Sequence, residues 1–453
     1  MTGIDARNSF ERPALSRRTL LAAGLGAAAT PLLAACGGAS TSGGGGGGGG
    51  SVSFISTQFT PIEERQRFEQ ILKNHVKGTS VAFNPMAAAV FGTTNKSQMD
   101  AGKVQFSLIG GLHGDLAPYA DKLEDLDDVT KALADRNIPA DLTTLGKLGG
   151  GSAKYVPWMQ ASYVVAVKKT ALQWLPSGAD VQNLTYDQFL SWVVAARQGN
   201  GGKPVFGLPA GPKGLYHRFF QGFLLPSFTG GQITTFRSPE AVQAWQFMKE
   251  LWANTAPAST NYDFMQEPLA RGEVLIAWDH VARLVSAPGN KPDDWVMIPA
   301  PHGPKGLGYM LVVAGLAIPK GAPETAKAKD VIKALTTPDT QIDVLRQNAF
   351  FPVVGASLPT DLPAAVGLEA TAVKGQQKAS NAIVALPPVG LGAKDAQVSQ
   401  IFTNCFREIC LNGKPVQQVL DDQAKQLNTI LDDLKVPCWR PDPVAAGQQC
   451  RVP

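Results

Sequence analysis

The sequence predicts an α/β protein. Three observations carry this reading. Short apolar strand signals and amphipathic helix signals alternate from Val52 to Gln347, the pattern of βαβ units. No internal repeat breaks the alternation. Over 453 residues, 44% are hydrophobic and 17% charged, which is core material for two or three domains and excludes a mostly disordered chain.

Taken in order, Val52–Ser56 reads as a strand, and Pro61 opens an amphipathic helix over Ile62–His75. Val81–Phe83 and Val104–Ile109 are the next strands, the second running into a turn at Gly110 and Gly111. Leu112–Asp128, with Asp115, Pro118 and Tyr119, reads as a helical turn and a solvated loop. Tyr155–Trp158 leads into an apolar strand over Ala161–Val167. Thr185 caps a helix reaching Val194, Val205–Leu208 is strand-like, and Tyr216–Leu225 is an apolar helix. Ser238 with Pro239 and Glu240 starts a long helix to Trp252. Arg271–Trp278, Trp295–Ile298 and Leu311–Ile318 are strands, and Pro323–Leu335 and Thr337–Gln347 are helices.

Ahead of this body lies a leader. Arg17 and Arg18 precede an apolar run from Leu20 to Ala35, too short for a spanning helix and suited to an export signal, which ends in Leu33-Ala34-Ala35-Cys36. Residues 1–36 therefore read as a twin-arginine lipoprotein signal, with Cys36 the acylated first residue of the mature chain, and 37–51 as a flexible Gly/Ser tether. The formal charge is +4, and four bases and two acids lie in the leader, so the remainder carries +2 and no basic field that would recruit nucleic acid. Cys405, Cys410, Cys438 and Cys450 all fall near the end of an exported chain and read as two disulfides, with three pairings open. None of the Cys and His shows the spacing of a zinc site, and no metal or cofactor is expected.

Lys154–Pro157, Thr185–Phe189, Ser238–Ala241, Arg271–Glu273, Met297–Gly303, Leu316–Lys320 and Phe350–Val353 form an ordered set of individually weak motifs that together resemble the carbohydrate-type extracellular solute-binding proteins of bacterial ABC importers, the maltose-binding group. Lys154–Pro157 before Ala161–Lys168 resembles that family's first crossing between lobes. Thr185–Phe189 and Ser238–Ala241 resemble two of its helix starts, and Arg271-Gly272-Glu273 with Met297–Gly303 its later strand and turn. Leu316–Lys320 and Phe350–Val353 resemble its last two signatures. The chain departs from the family at Ser107, where an Asp is usual, and at Ala282, where a stacking aromatic often stands.

The resemblance implies a type II two-lobed fold, each lobe a mostly parallel sheet flanked by helices, with hinge crossings between. Lobe 1 is expected over 52–158 plus 309–350, and lobe 2 over 159–308 plus 351–453 with the cysteine-bearing tail. A sugar needs aromatic faces for its C–H surfaces and planar polar groups for paired hydroxyls. The ligand-contact candidates are accordingly Gln58, His113, Trp158, Gln160, Tyr216, Trp278, Asp279 and Tyr309, with Trp158 or Trp278 stacking and Lys154 and Arg283 outside the first shell. Trp192, Trp245 and Trp252, at helical spacing, read as core packing. The implied partners are a small-molecule solute and an ABC permease; the implied state is a monomer held by its lipid on the outer face of the cytoplasmic membrane. Two other readings stay open: the same architecture binding a glycerophosphodiester, polyamine or peptide, and a secreted hydrolase. Against the hydrolase, the sequence has no nucleophile elbow and no metalloprotease motif.

Overall fold

A computed structural model describes residues 50–289, 291–391, 394–443 and 448–453. The expected twin-arginine leader over 1–36, its Cys36, and all but the end of the expected Gly/Ser tether lie outside the described residues. Eleven strands are present among them: β1 (Val52–Ser56), β2 (Val81–Pro85), β3 (Leu108–Leu112), β4 (Val156–Ala161), β5 (Tyr163–Lys168), β6 (Phe206–Gly207), β7 (Ile276–His280), β8 (Trp295–Ile298), β9 (Leu307–Met310), β10 (Val312–Ala317) and β11 (Ala382–Ala385).

They form a five-stranded sheet in the order β2-β1-β3-β10-β4, a four-stranded sheet in the order β6-β7-β5-β8, and the pair β11-β9. Parallel pairing, expected for most of each sheet, holds for β2-β1-β3 and β6-β7. It gives way to antiparallel pairing wherever β10, β4, β5 or β8 takes part, because these strands lead the chain into or out of a crossing. β4 and β5 also divide what reads as one apolar run. The chain changes sheet at Ser162, whose hydroxyl donates to the Met310 carbonyl (2.8 Å) and accepts from the Gln376 amide (3.2 Å). Beside this crossing, Gln160 and Phe351 exchange backbone hydrogen bonds of 2.9 and 2.7 Å.

β3 begins four residues later than its apolar pattern predicts. Gly110 and Gly111 lie within the strand and not in a turn. A Cβ on Gly110 would sit 2.9 Å from the Phe54 ring, so the strand needs glycine there to approach β1.

The flanking helices follow their caps. The Thr185 hydroxyl accepts from the Gln188 N–H (3.1 Å) while the Gln188 carboxamide accepts from the Thr185 N–H (3.0 Å), which satisfies two end donors of helix Tyr186–Gly199. The Ser238 hydroxyl accepts from the Ala241 N–H before helix Pro239–Ala253. Helix Ile62–His75 packs on helix Pro338–Asn348 beside the first sheet, and helix Ala364–Lys378 packs on β8 of the second. Each lobe has an aromatic centre: Phe54, Phe68 and Phe83 in the first, and Tyr163, Phe219 and Phe223 around Trp278 in the second. No helix among the described residues is long and apolar enough to cross a membrane.

Candidate functional site

β1 and β3 are parallel, so their C-terminal ends open on the same edge of the first lobe. Directly after β1 comes Thr57, whose hydroxyl donates to the Asp115 carboxylate (2.9 Å); at the end of β3, the Leu112 N–H donates to the same oxygen (3.0 Å). Burial pushes the Asp115 carboxyl up from its ordinary value, and these two hydrogen bonds oppose the shift. Facing it from the second lobe are Arg218 and Asp395, whose charged groups are 3.9 Å apart.

Beside Asp115 lies a cavity of ≈ 380 Å³. One wall is helix Ala88–Asp100, with Phe91, Thr93 and Lys96; a second is the turn after β3, with Asp115, Pro118 and Tyr119; the third is Pro388, Leu391 and Asp395, which lie in or next to helix Asp395–Phe406 of the second lobe. Apolar faces from Phe91, both prolines and Leu391 thus alternate with two bases, Lys96 and Lys122, two carboxylates and a phenol. The lobes touch closely at this point: a Cβ on Gly114 would lie 2.2 Å from the Pro388 carbonyl oxygen. The Tyr119 hydroxyl donates to the Gly92 carbonyl (2.8 Å), and Lys96 and Lys122 both pair with Asp100.

None of the eight ligand-contact candidates lines this cavity. Gln58 and His113 come nearest. The Gln58 amide donates to the Thr57 hydroxyl (3.0 Å), one bond from Asp115. His113 turns inward to the Tyr155 hydroxyl (2.8 Å), and burial holds its imidazole down at about 4, so it is neutral. Gln160 spends its amide on the Pro352 carbonyl (2.8 Å), next to the chain crossing at Ser162.

The two stacking expectations are corrected. Trp158 is 1% exposed, in the first lobe's core against Phe59 and Phe68, because β4 places it on the sheet face that helix Ile62–His75 covers. Trp278 is fully buried, stacked on Tyr163 at 4.7 Å with the rings nearly parallel. Asp279 is also in the second lobe's interior: it accepts from the Met265 N–H (2.9 Å) and the His280 N–H (2.7 Å), and burial pushes its carboxyl up to about 7. Tyr216 packs on Phe220 and Phe406, and Tyr309 is a buried strand residue paired with Val384.

Cys438 and Cys450 are bridged. Cys405 and Cys410 are free thiols, which corrects the expectation that all four are oxidised. Both sit on one continuous helical run, 395–411, whose backbone fixes Cys405 in the core and leaves Cys410 part-exposed. Arg283, expected to make no contact with the ligand, pairs with Glu64 of the first lobe at 2.8 Å.

Residues 61–342 match the family described as bacterial extracellular solute-binding protein. The chain belongs to this family. Solved structures agree on the fold. Maltose-bound MalE3 of T. maritima is 21% identical, with a TM-score of 0.66 over 84% of this chain and 100% of that one. The GacH receptor of Streptomyces glaucescens GLA.O, solved unliganded and with acarbose, is 16% identical, with a TM-score of 0.66 over 85% and 100%. UgpB of Mycobacterium tuberculosis, in complex with glycerophosphocholine, is 19% identical, with a TM-score of 0.65 over 85% and 99%. No curated protein matches. This solute-binding protein therefore has the two-lobed type II fold, and the cavity lies where its lobes meet.

Proposed function

We propose that this protein captures a sugar or short oligosaccharide in the interlobe cavity and delivers it to the membrane permease of an ABC importer. The observation that carries the reading is the wall chemistry of the cavity. Phe91, Pro118, Pro388 and Leu391 offer faces for C–H surfaces, while Asp115, Tyr119, Lys96 and Asp395 offer groups for hydroxyls. Its ≈ 380 Å³ falls within the roughly 300–1,000 Å³ of small-molecule sites. Lobe 1, expected over 52–158 with 309–350, is read as 52–161 with 312–350, and lobe 2 as 163–310 with 351–453: β4 and β10 share the first sheet through Ala161 and Val312, β9 pairs with β11, and the crossings fall at Ser162 and Leu311. The protein acts as a monomeric binder and not as an enzyme. Cys36 carries the lipid after twin-arginine export, and the Gly/Ser segment tethers the body outside the membrane; the motif order around Arg17, Arg18 and Cys36 supports this.

A second reading, a glycerophosphodiester solute, is favoured by Lys96 and Lys122 in the cavity lining, by Arg218 beside the lining residue Asp395, and by the ligand of UgpB. Thermal-shift screening against sugars and phosphodiesters tests both, since a native-state ligand raises the melting temperature. Affinity for a phosphodiester falls with salt, and affinity for a neutral sugar does not.

A further inference from the structure

The family match ends at residue 342, yet the cavity's third wall and the chain's last segment both lie beyond it. The two are physically joined. The bridge Cys438–Cys450 closes the tail into a loop, and the Cys450 N–H donates back to the Val436 carbonyl (2.7 Å). Inside that loop Asp442 is 2% exposed. Its carboxylate accepts from the N–H groups of Gln232 (2.9 Å), Ile233 (3.0 Å) and Thr234 (2.7 Å) and from the Thr234 hydroxyl (2.5 Å). This approach requires glycine at 231, where a Cβ would stand 2.9 Å from the Asp442 carboxylate.

Gln232 relays the contact. It is fully buried, and its amide donates to the Arg440 carbonyl (2.9 Å) and to the Leu386 carbonyl (3.2 Å). The Leu386 N–H in turn donates to the Arg440 carbonyl (3.0 Å). Both backbone groups of Leu386 are therefore held, one by the tail and one by a side chain the tail positions. Pro387 and Pro388 follow directly, and their rings fix φ, so an orientation set at Leu386 carries to Pro388 without an intervening free backbone rotation about φ. Pro388 is the residue that faces Gly114 across the lobes and lines the cavity. Further along, a Cβ on Gly390 would come within 3.1 Å of the Val436 side chain, so the tail also backs the far end of this wall.

We infer that the disulfide-closed tail is a positioning device for the solute, with Gln232 the positioning residue: through Leu386 it sets where the wall Pro388–Leu391 stands against the first lobe. The inference rests on the reading that solute occupies the interlobe cavity, and the test separates the two. Hydrogen exchange on the full chain without solute reports the wall directly, at the amides of Leu386, Val389, Gly390 and Leu391. Gln232→Leu keeps the side-chain volume and removes both donors; it should speed exchange at these amides about tenfold while the amides of β1 stay as protected as in the wild type. Titration with maltose and with glycerophosphocholine then reads the consequence, an affinity about tenfold weaker for whichever probe the wild type binds. Unchanged exchange at 386–391 in a folded variant overturns the inference, as does faster exchange with unchanged affinity. If Gln232→Leu fails to fold, Asp442→Asn is judged by the same two readouts. If the wild type binds neither probe, the solute reading fails, and the tail's hold on the wall stands or falls on exchange alone.

Discussion

Arg283 of the second lobe reaches Glu64 of the first, Nη1 to Oε1 at 2.8 Å, and lies 4.6 Å over the Phe264 ring. Glu64 is 8% exposed, and burial raises its carboxyl against the pull of Arg283. A charge so desolvated is costly once its partner is gone. A double-mutant cycle over Arg283→Ala and Glu64→Ala, read by denaturant unfolding, should return a coupling of about 1–3 kcal/mol. Additive effects would mean that the lobes do not meet through this pair.

Gly114 marks the closest approach of the lobes beside the cavity. Gly114→Ala places a methyl against the Pro388 carbonyl, so closure must stop short. Solute affinity should fall while the melting temperature of the ligand-free protein changes little, as calorimetry can check. An affinity equal to the wild type would show that closure at this point is not required.

Trp158→Ala and Trp278→Ala should behave as core truncations, each costing about 3–5 kcal/mol in denaturant unfolding. A variant that keeps wild-type stability while losing solute affinity would return that tryptophan to the binding site.

The buried titrating groups give opposing pH slopes. Asp279 rises to about 7 in the folded protein from an ordinary 3.8, so the native state holds its proton longer than the unfolded chain, and its contribution is full below 3.8 and lost as pH rises towards 7. His113 and His280 are depressed to about 4 and about 3 from 6.5, so theirs is full above 6.5 and lost as pH falls through that window. Asp279→Asn should therefore gain stability relative to the wild type between pH 5 and 8, a trend seen by urea unfolding at the two pH values. A constant difference would place the Asp279 titration elsewhere.

The sequence made the framework legible and the site less so. Strands such as β1 and β10, and the helices capped by Thr185 and Ser238, announce themselves because period and cap are local signals. Trp158 and Trp278 were misread because an aromatic beside a crossing looks alike whether it faces a cleft or a core; which face β4 and β7 turn inward is decided by the helices packed on them. Asp115 was visible after the Gly110–Gly111 pair, yet its neighbours Phe91, Pro388 and Asp395 come from segments far apart in the chain. Helices Ala364–Lys378 and Val416–Leu434 went unassigned at the sequence level, as did the tail's hold on Gln232, which depends on contacts between residues over two hundred positions apart.

The most direct test of solute capture in the interlobe cavity is calorimetric titration of Thr93→Trp with the solute that most raises the wild-type melting temperature. Thr93 lines the cavity from an exposed helix face, so a large ring there fills the space without disturbing the core. Occupancy of the cavity predicts at least about a tenfold loss of affinity, or about 1.4 kcal/mol, with the fold intact. Wild-type affinity in this variant would contradict it.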